Sequence, residues 1–255
     1  MSDRFDLTGR TALVTGASSG FGHHFATTLA SAGATVVVAA RRRDRLDALV
    51  ETITRSGGRA VAVDMDVTDG ASIRTALAEA ARAVGPADVI VNNAGIGPVR
   101  PTLTLAEADW DAVVDTNLRG AWLVAQAAAQ ALVASGRPGR IVNIASIVGL
   151  RTIGQLAPYA AAKAGLLHLT RVLAMEWARH GIQVNAIAPG YVETDLNRDF
   201  WASPPGAQLI ARIPQRRLGR LTDLDGPLLL LASDAGAFMT GSVLVVDGGH
   251  AVASL

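Results

Sequence analysis

Short apolar runs of five to seven residues recur along the chain: TALVT (11–15), TVVVAA (35–40), RAVAVD (59–64), DVIVN (88–92), RIVNIA (140–145), IQVNAIA (182–188) and SVLVVD (242–247). They are nearly continuous rather than alternating, as strands buried on both faces must be. Between them lie stretches with helical spacing, such as Leu46, Leu49, Val50 and Ile53 at i, i+3, i+4 and i+7. Strands alternating with helices predict an α/β fold with a parallel sheet of about seven strands and helices on both faces. No linker or shift in composition divides the pattern, so residues 1–255 are expected to form one domain. Only residues 191–217, with Phe200, Trp201 and a Pro-Pro pair, break the rhythm. That segment reads as a surface insertion or as an aromatic lid over a site.

Chemistry first enters at TGASSGFG, where the first predicted strand passes into a helical pattern. Gly16, Gly20 and Gly22 permit a tight turn and close approach of backbone N–H groups to a phosphate. At this place a doubly wound Rossmann sheet binds a dinucleotide. Further along, Ser146 follows a predicted strand, and PYAAAKAG places Tyr159 and Lys163 four residues apart on one helix face. Pro158 suits the first turn of that helix. A free tyrosine, with a pKa near 10, is a poor base at neutral pH. A neighbouring lysine cation is expected to favour the phenolate, so that the pair exchanges a proton with a carbonyl or alcohol oxygen, while the serine orients that oxygen.

The spacing Gly-x3-Gly-x-Gly, the NNAG run at 92–95 and the Ser…YxxxK set together resemble the classical short-chain dehydrogenases/reductases, over essentially the whole chain. The resemblance implies a single-domain Rossmann fold and reversible hydride transfer between a nicotinamide cofactor and a carbonyl carbon. It makes Asn117, Ser146, Tyr159 and Lys163 the catalytic set, with Asn117 helping to hold a water that links the lysine to a proton relay. It assigns cofactor contacts to Gly16, Ser18, Ser19, Gly20, Phe21 and Gly22 in the glycine loop. Further contacts fall to Asp66 and Val67 near the adenine, to Asn93, Ala94 and Gly95, and to Tyr159 and Lys163. Pro189, Gly190, Val192 and Thr194 complete the set, the threonine near the nicotinamide carboxamide. Phe21 departs from the pattern, which commonly has isoleucine or leucine there. The family also implies a homotetramer. Ile147, Val148, Leu156, Tyr191, Leu196, Phe200 and Trp201 are expected to wall an apolar substrate pocket, which favours a small or medium hydrophobic ketone.

Three arginines follow the second predicted strand. Arg41 lies 19 residues after Gly22, where an NAD-specific Rossmann protein carries an acid for the ribose 2′-hydroxyl. Residues 38–43 read VAARRR, with alanine and arginine and no acid around that place. Arginine offers a planar donor fork suited to a 2′-phosphate. Arg41 first and Arg42 second are therefore expected to select NADP(H), with NAD(H) still possible and Arg43 facing solvent. Asp44 is expected to cap the helix that begins there.

Composition narrows the alternatives. With 23 basic and 22 acidic residues, a nucleic-acid-binding reading is weak. There is no cysteine, so thiolate metal sites and cysteine nucleophiles are excluded. The five histidines show no ligand spacing, and no metal site is expected. The most apolar stretch, 118–134, is broken by Arg119, Gly120, Gln126 and Gln130, and the polar N-terminus lacks a signal-peptide core. A cytoplasmic protein without a membrane span is expected. Two other functions stay open. One is a 3-oxoacyl-carrier-protein reductase, whose carrier-docking positions would fall at Arg137 and His180. The other is a nucleotide-binding regulator without catalysis.

Overall fold

A computed structural model describes residues 3–194 and 197–253. Seven parallel strands form one sheet: β1 (Thr11–Thr15), β2 (Thr35–Ala40), β3 (Arg59–Asp64), β4 (Val89–Asn92), β5 (Gly139–Ile144), β6 (Ile182–Pro189) and β7 (Val243–Val246). Their order is β3-β2-β1-β4-β5-β6-β7. Each predicted strand is present, with ends shifted by no more than a residue.

The apolar runs are continuous because both faces are covered. On one face Ala12 and Val14 of β1 and Val36 and Val38 of β2 pack against α1 (Gly20–Ser31), α2 (Arg43–Arg55) and the later helix Asp225–Ala232. On the other, Leu13, Val37 and Ala39 meet α3 (Gly70–Val84) and the helices that follow β4 and β5. The chain leaves β1 toward β2 and returns through β4 on β1's other side. The carboxyl ends of β1 and β4 therefore diverge, which opens the crevice where such sheets bind ligands.

Three local features depart from the sequence pattern. The helix predicted at 118–134 is the last part of a longer rod: α4 (Glu107–Val114), a π-helical turn (Asp115–Arg119) and α5 (Gly120–Ala134). Helix α2 starts one residue before Asp44, and Arg42 stands at its cap without a side-chain cap bond. Asp44 lies in the first turn, where its charge still complements the helix dipole. The segment 191–217 contains two short helices, α7 (Arg198–Trp201) and α8 (Pro204–Ile210). The Ser203 hydroxyl accepts from Gly206 N–H at 3.3 Å to start α8. Among the described residues no helix is long and apolar enough to cross a membrane.

Candidate active site

A cavity of about 630 Å³ opens along the carboxyl ends of β1, β2, β4 and β5. Its floor is the glycine loop after β1. Gly16 has φ +66° and Gly20 φ +55°, conformations that L side chains rarely adopt. Gly22 does not line the cavity; it lets α1 close on the loop. A Cβ there would stand 2.4 Å from Gly16 O and 2.6 Å from Asn93 Nδ2, which real packing forbids. Thr15, which the sequence reading did not single out, joins this loop to the next. Its hydroxyl accepts from the N–H groups of Asn93 (3.0 Å) and Ala94 (3.1 Å), and Asn93 Nδ2 donates to Thr15 O at 2.9 Å.

The arginines after β2 are held in different ways. Arg42 reaches back over the glycine loop and donates from Nη2 to Ser18 Oγ (2.8 Å) and Ser19 Oγ (3.1 Å). Arg41 is 74% exposed, with its guanidinium 3.9 Å from Asp66. Arg43 is exposed and paired with Asp47 at 2.8 Å. The two serine hydroxyls explain the difference, because they give Arg42 a fixed anchor and leave Arg41 to solvent. Asp66 is held by Thr68, whose hydroxyl (2.7 Å) and N–H (2.9 Å) donate to it and keep its carboxyl below the usual range.

Helix α6 (Ala157–Trp177) carries Tyr159 and Lys163 into the cavity, with Pro158 in its first turn. Lys163 is buried, and its Nζ donates to Ile144 O at 2.7 Å and stands 5.5 Å from the centre of the Tyr159 ring. Burial lowers the lysine to about 8. Burial also raises the Tyr159 phenol, against a hydrogen bond with Ser146 that lowers it. The direction is the reverse of that expected from the Tyr-Lys pair alone, because loss of water around the phenol outweighs its polar neighbours. Ser146 sits in extended conformation just after β5 and also accepts from Val148 N–H at 3.3 Å.

Asn117 lies in the π turn, buried, with both ends of its amide on Ile96: Nδ2 donates to Ile96 O at 2.7 Å and Oδ1 accepts from Ile96 N–H at 2.8 Å. The extra residue of the π turn is what aims it there, a common use of such turns. A Cβ at Gly95 would lie 3.1 Å from Asn117 Oδ1 and 3.7 Å from Lys163 Nζ, so the missing side chain leaves a small polar gap between them.

The cavity thus gathers Gly16, Ser18, Ser19, Gly20, Phe21, Arg41, Arg42, Asp66, Val67, Asn93, Ala94, Gly95, Leu156, Tyr159, Lys163 and Thr194. Phe21 serves two surfaces, since its ring also packs 5.9 Å from Phe25 in the core. The backbone at 189–192 lies outside the cavity wall. Pro189 ends β6, Gly190 N–H donates to Val246 O at 2.9 Å, and Val192 is buried and bridged to Gly219. Of the expected pocket residues that are described, only Leu156 lines the cavity. Ile147 is buried, Val148 is used in the turn after Ser146, and Tyr191, Phe200 and Trp201 stack on one another beside the cavity. Leu196 lies outside the described residues. The apolar wall is instead formed by Ile96 and Val99, which follow NNAG. Their apolar character after a glycine-marked loop was the available signal.

Arg137 and His180 precede β5 and β6, so both lie at the amino ends of the strands, across the sheet from the cavity. Arg137 is paired there with Asp88 at 2.9 Å. Neither stands at the entrance, as carrier docking within one chain would require.

The residues present fit a nicotinamide dinucleotide: a glycine loop for the pyrophosphate, a fixed cation beside it and a Tyr-Lys pair with a buried lysine at the far end. Comparison with known proteins agrees. A family model described as enoyl-(acyl carrier protein) reductase matches residues 16–251. The chain is 38% identical over 251 residues to gluconate 5-dehydrogenase of Gluconobacter oxydans (strain 621H), covering 98% of each chain. It is also 38% identical over 241 residues to the 3-oxoacyl-(acyl-carrier-protein) reductase of Escherichia coli (strain K12), covering 94% of this chain and 97% of that one. Its fold matches the crystal structure of a gluconate 5-dehydrogenase from Burkholderia cenocepacia J2315 in complex with NADP and tartrate, with TM-score 0.94, 40% identity and 99% of each chain covered. The glycine loop, the Ser-Tyr-Lys constellation and relatives that align from end to end place the chain in the short-chain dehydrogenase/reductase family of oxidoreductases.

Proposed function

We propose that the protein catalyses reversible reduction of a ketone to a secondary alcohol with a preference for NADP(H). The observation that carries the reading is Tyr159 on the cavity wall, half-buried, with the buried Lys163 Nζ 5.5 Å from the centre of its ring. When bound, the nicotinamide supplies or accepts the hydride. Ser146 orients the carbonyl oxygen. The Tyr159 O–H bond breaks as the alcohol O–H bond forms, and in oxidation the proton returns to the phenolate. The raised phenol stays protonated at neutral pH, which suits donation. Lys163, at about 8, is still mostly a cation at pH 7, and its charge stabilises the phenolate once the proton has left. The gap at Gly95, between Asn117 Oδ1 and Lys163 Nζ, has the polar walls that a relay water needs.

Cofactor preference rests on Arg42. Its guanidinium is fixed to the glycine loop, and no carboxylate stands at the end of β2 to repel a 2′-phosphate. Arg41 is the second contact, free to swing in from solvent. The relative whose crystal structure holds NADP supports the same reading.

For the substrate, Ile96, Val99 and Leu156 favour a small or medium carbon skeleton. The relatives named for gluconate favour a second reading, a polyhydroxy acid. The carrier-protein reductase reading is weakened by the placement of Arg137 and His180. A homotetramer fits the open edge of β7 and the exposed Met175, Phe238 and Val252 nearby in sequence or packing, and sedimentation would test it.

Loss of NADPH absorbance with a panel of ketones tests the reaction. Tyr159→Phe is expected to lower kcat by about 10²–10⁴-fold while NADPH still binds. Turnover of that variant at the wild-type rate would refute the proton-transfer role.

A further inference from the structure

Five side chains that the proposed reaction does not use gather beyond the carboxyl ends of β5, β6 and β7. The Tyr191 ring stands between Trp201 (centroids 5.0 Å apart) and His250 (5.2 Å). Arg151, five residues past Ser146, donates to the main-chain carbonyl of His250 and so ties the catalytic loop to the chain after β7. Arg212, following α8, completes the group: the guanidinium charges of Arg151 and Arg212 both act on Tyr191 and on His250.

Two polar atoms in this cluster are buried without a hydrogen-bond partner among the described residues, the indole Nε1 of Trp201 and Nδ1 of His250. An unmade bond of this kind costs about 1–3 kcal/mol, and a native fold rarely keeps it without a use. The charge is unbalanced as well. Asp247, the one carboxylate acting on His250, is committed to the N–H groups of Gly249 (2.8 Å) and Ala251 (2.5 Å). Among the described residues neither Arg151 nor Arg212 has a carboxylate partner. Two guanidinium groups and an indole N–H, with no anion among the described residues to receive them, are the donor types that hold a carboxylate.

We propose that Arg151, Arg212, Trp201 and His250 form a subsite for a carboxylate of the substrate, so that the ketone reduced here is a keto acid and the alcohol a hydroxy acid. The inference rests on the carbonyl-reductase reading above and gives it a substrate class. The placement supports it: Arg151 leaves the loop that carries Ser146, and Tyr191 stands three residues before Thr194 in the cavity wall. A carboxylate held by the cluster keeps its carbon chain on the edge where Ser146 and Tyr159 receive the carbonyl oxygen.

A matched pair tests it: 5-oxohexanoate and its methyl ester, each reduced with NADPH. The wild-type kcat/KM is expected to favour the acid by about tenfold or more, the effect of a lost charge-assisted bond. Arg151→Gln is expected to lower the acid's value by about tenfold, through KM, and to leave the ester's unchanged. Arg212→Gln, at an exposed position where folding is not at risk, is expected to act in the same direction, and Arg137→Gln on the far edge to do nothing. Equal use of acid and ester by the wild type, or equal losses on both in Arg151→Gln, overturns the subsite. Calorimetric binding of glutarate, which cannot be reduced, to the NADPH complex separates this failure from that of the reaction. Glutarate binding lost in Arg151→Gln, with neither ketone turned over, upholds the subsite and sinks the reductase reading. Ester reduction without glutarate binding does the opposite.

Discussion

On the cofactor side of the cavity nearly every polar group already has its place. Arg42 is fixed to Ser18 and Ser19, Asn93 to Thr15, Asp66 to Thr68 and Asn117 to Ile96. On the substrate side, the described residues of 191–217 give the cavity wall only Thr194, and among the described residues the buried nitrogens of Trp201 and His250 have no partners. The first region sits on strand ends and the first turns of long helices, whose packing fixes it before any ligand arrives. The second sits on two short helices, of four and seven residues, that bury little and depend on aromatic stacking. A dinucleotide has the same shape for many enzymes and can be met by a rigid site. A particular substrate is met by the variable loops carried on that scaffold.

The two regions join at Lys163, and pH should pull them apart most strongly. Its value in the folded protein, about 8, lies below the ordinary 10.5, so the folded state binds fewer protons between those limits. Folding stability should therefore rise with pH across that window, by up to about 3 kcal/mol. Ketone reduction should fall over the same window, as the charge that stabilises the phenolate is lost. Thermal melts and single-turnover rates against pH would check both. In Lys163→Met the stability rise should vanish. A wild type whose stability is flat from pH 8 to 10 would show that the buried lysine does not titrate as described.

A pair of alanine substitutions sharpens the contrast with a smaller effect. Gly22→Ala forces a methyl group against Gly16 O and Asn93, and is expected to cost about 1–3 kcal/mol and weaken NADPH binding. Phe200→Ala, at a half-exposed ring on α7, should leave NADPH affinity unchanged and alter only the KM for the ketone. Melting temperature and cofactor titration distinguish the two, and a loss of NADPH affinity in Phe200→Ala would mean that the regions are coupled.

How far the sequence foretold each region follows from the same physics. The strands and the glycine loop were legible because sheet burial and positive φ restrict which residues can stand there, as Val36, Val38 and Gly16 show. Tyr159 and Lys163 were legible because helix spacing alone puts them on one face. The π turn at Asn117 was not, since one extra residue in a helix leaves no mark in its composition. Nor was the anchoring of Arg42, which depends on two serine hydroxyls more than twenty residues earlier. How the aromatic segment packs was not legible for a related reason. Aromatic residues on a loop read as cavity wall; Tyr191 and Phe200 both pack on the Trp201 ring, and Ile96 and Val99 line the cavity.

The most direct measurement of the central claim is the ratio of kcat/KM with NADPH to that with NADH, in the wild type and in Arg42→Ala. A cofactor side built around one phosphate group predicts a wild-type ratio well above one. Arg42→Ala should reduce it by about 10–100-fold, almost entirely through NADPH, with Arg41→Ala having the lesser effect. A wild-type ratio at or below one, or equal losses with both cofactors in Arg42→Ala, would contradict the account.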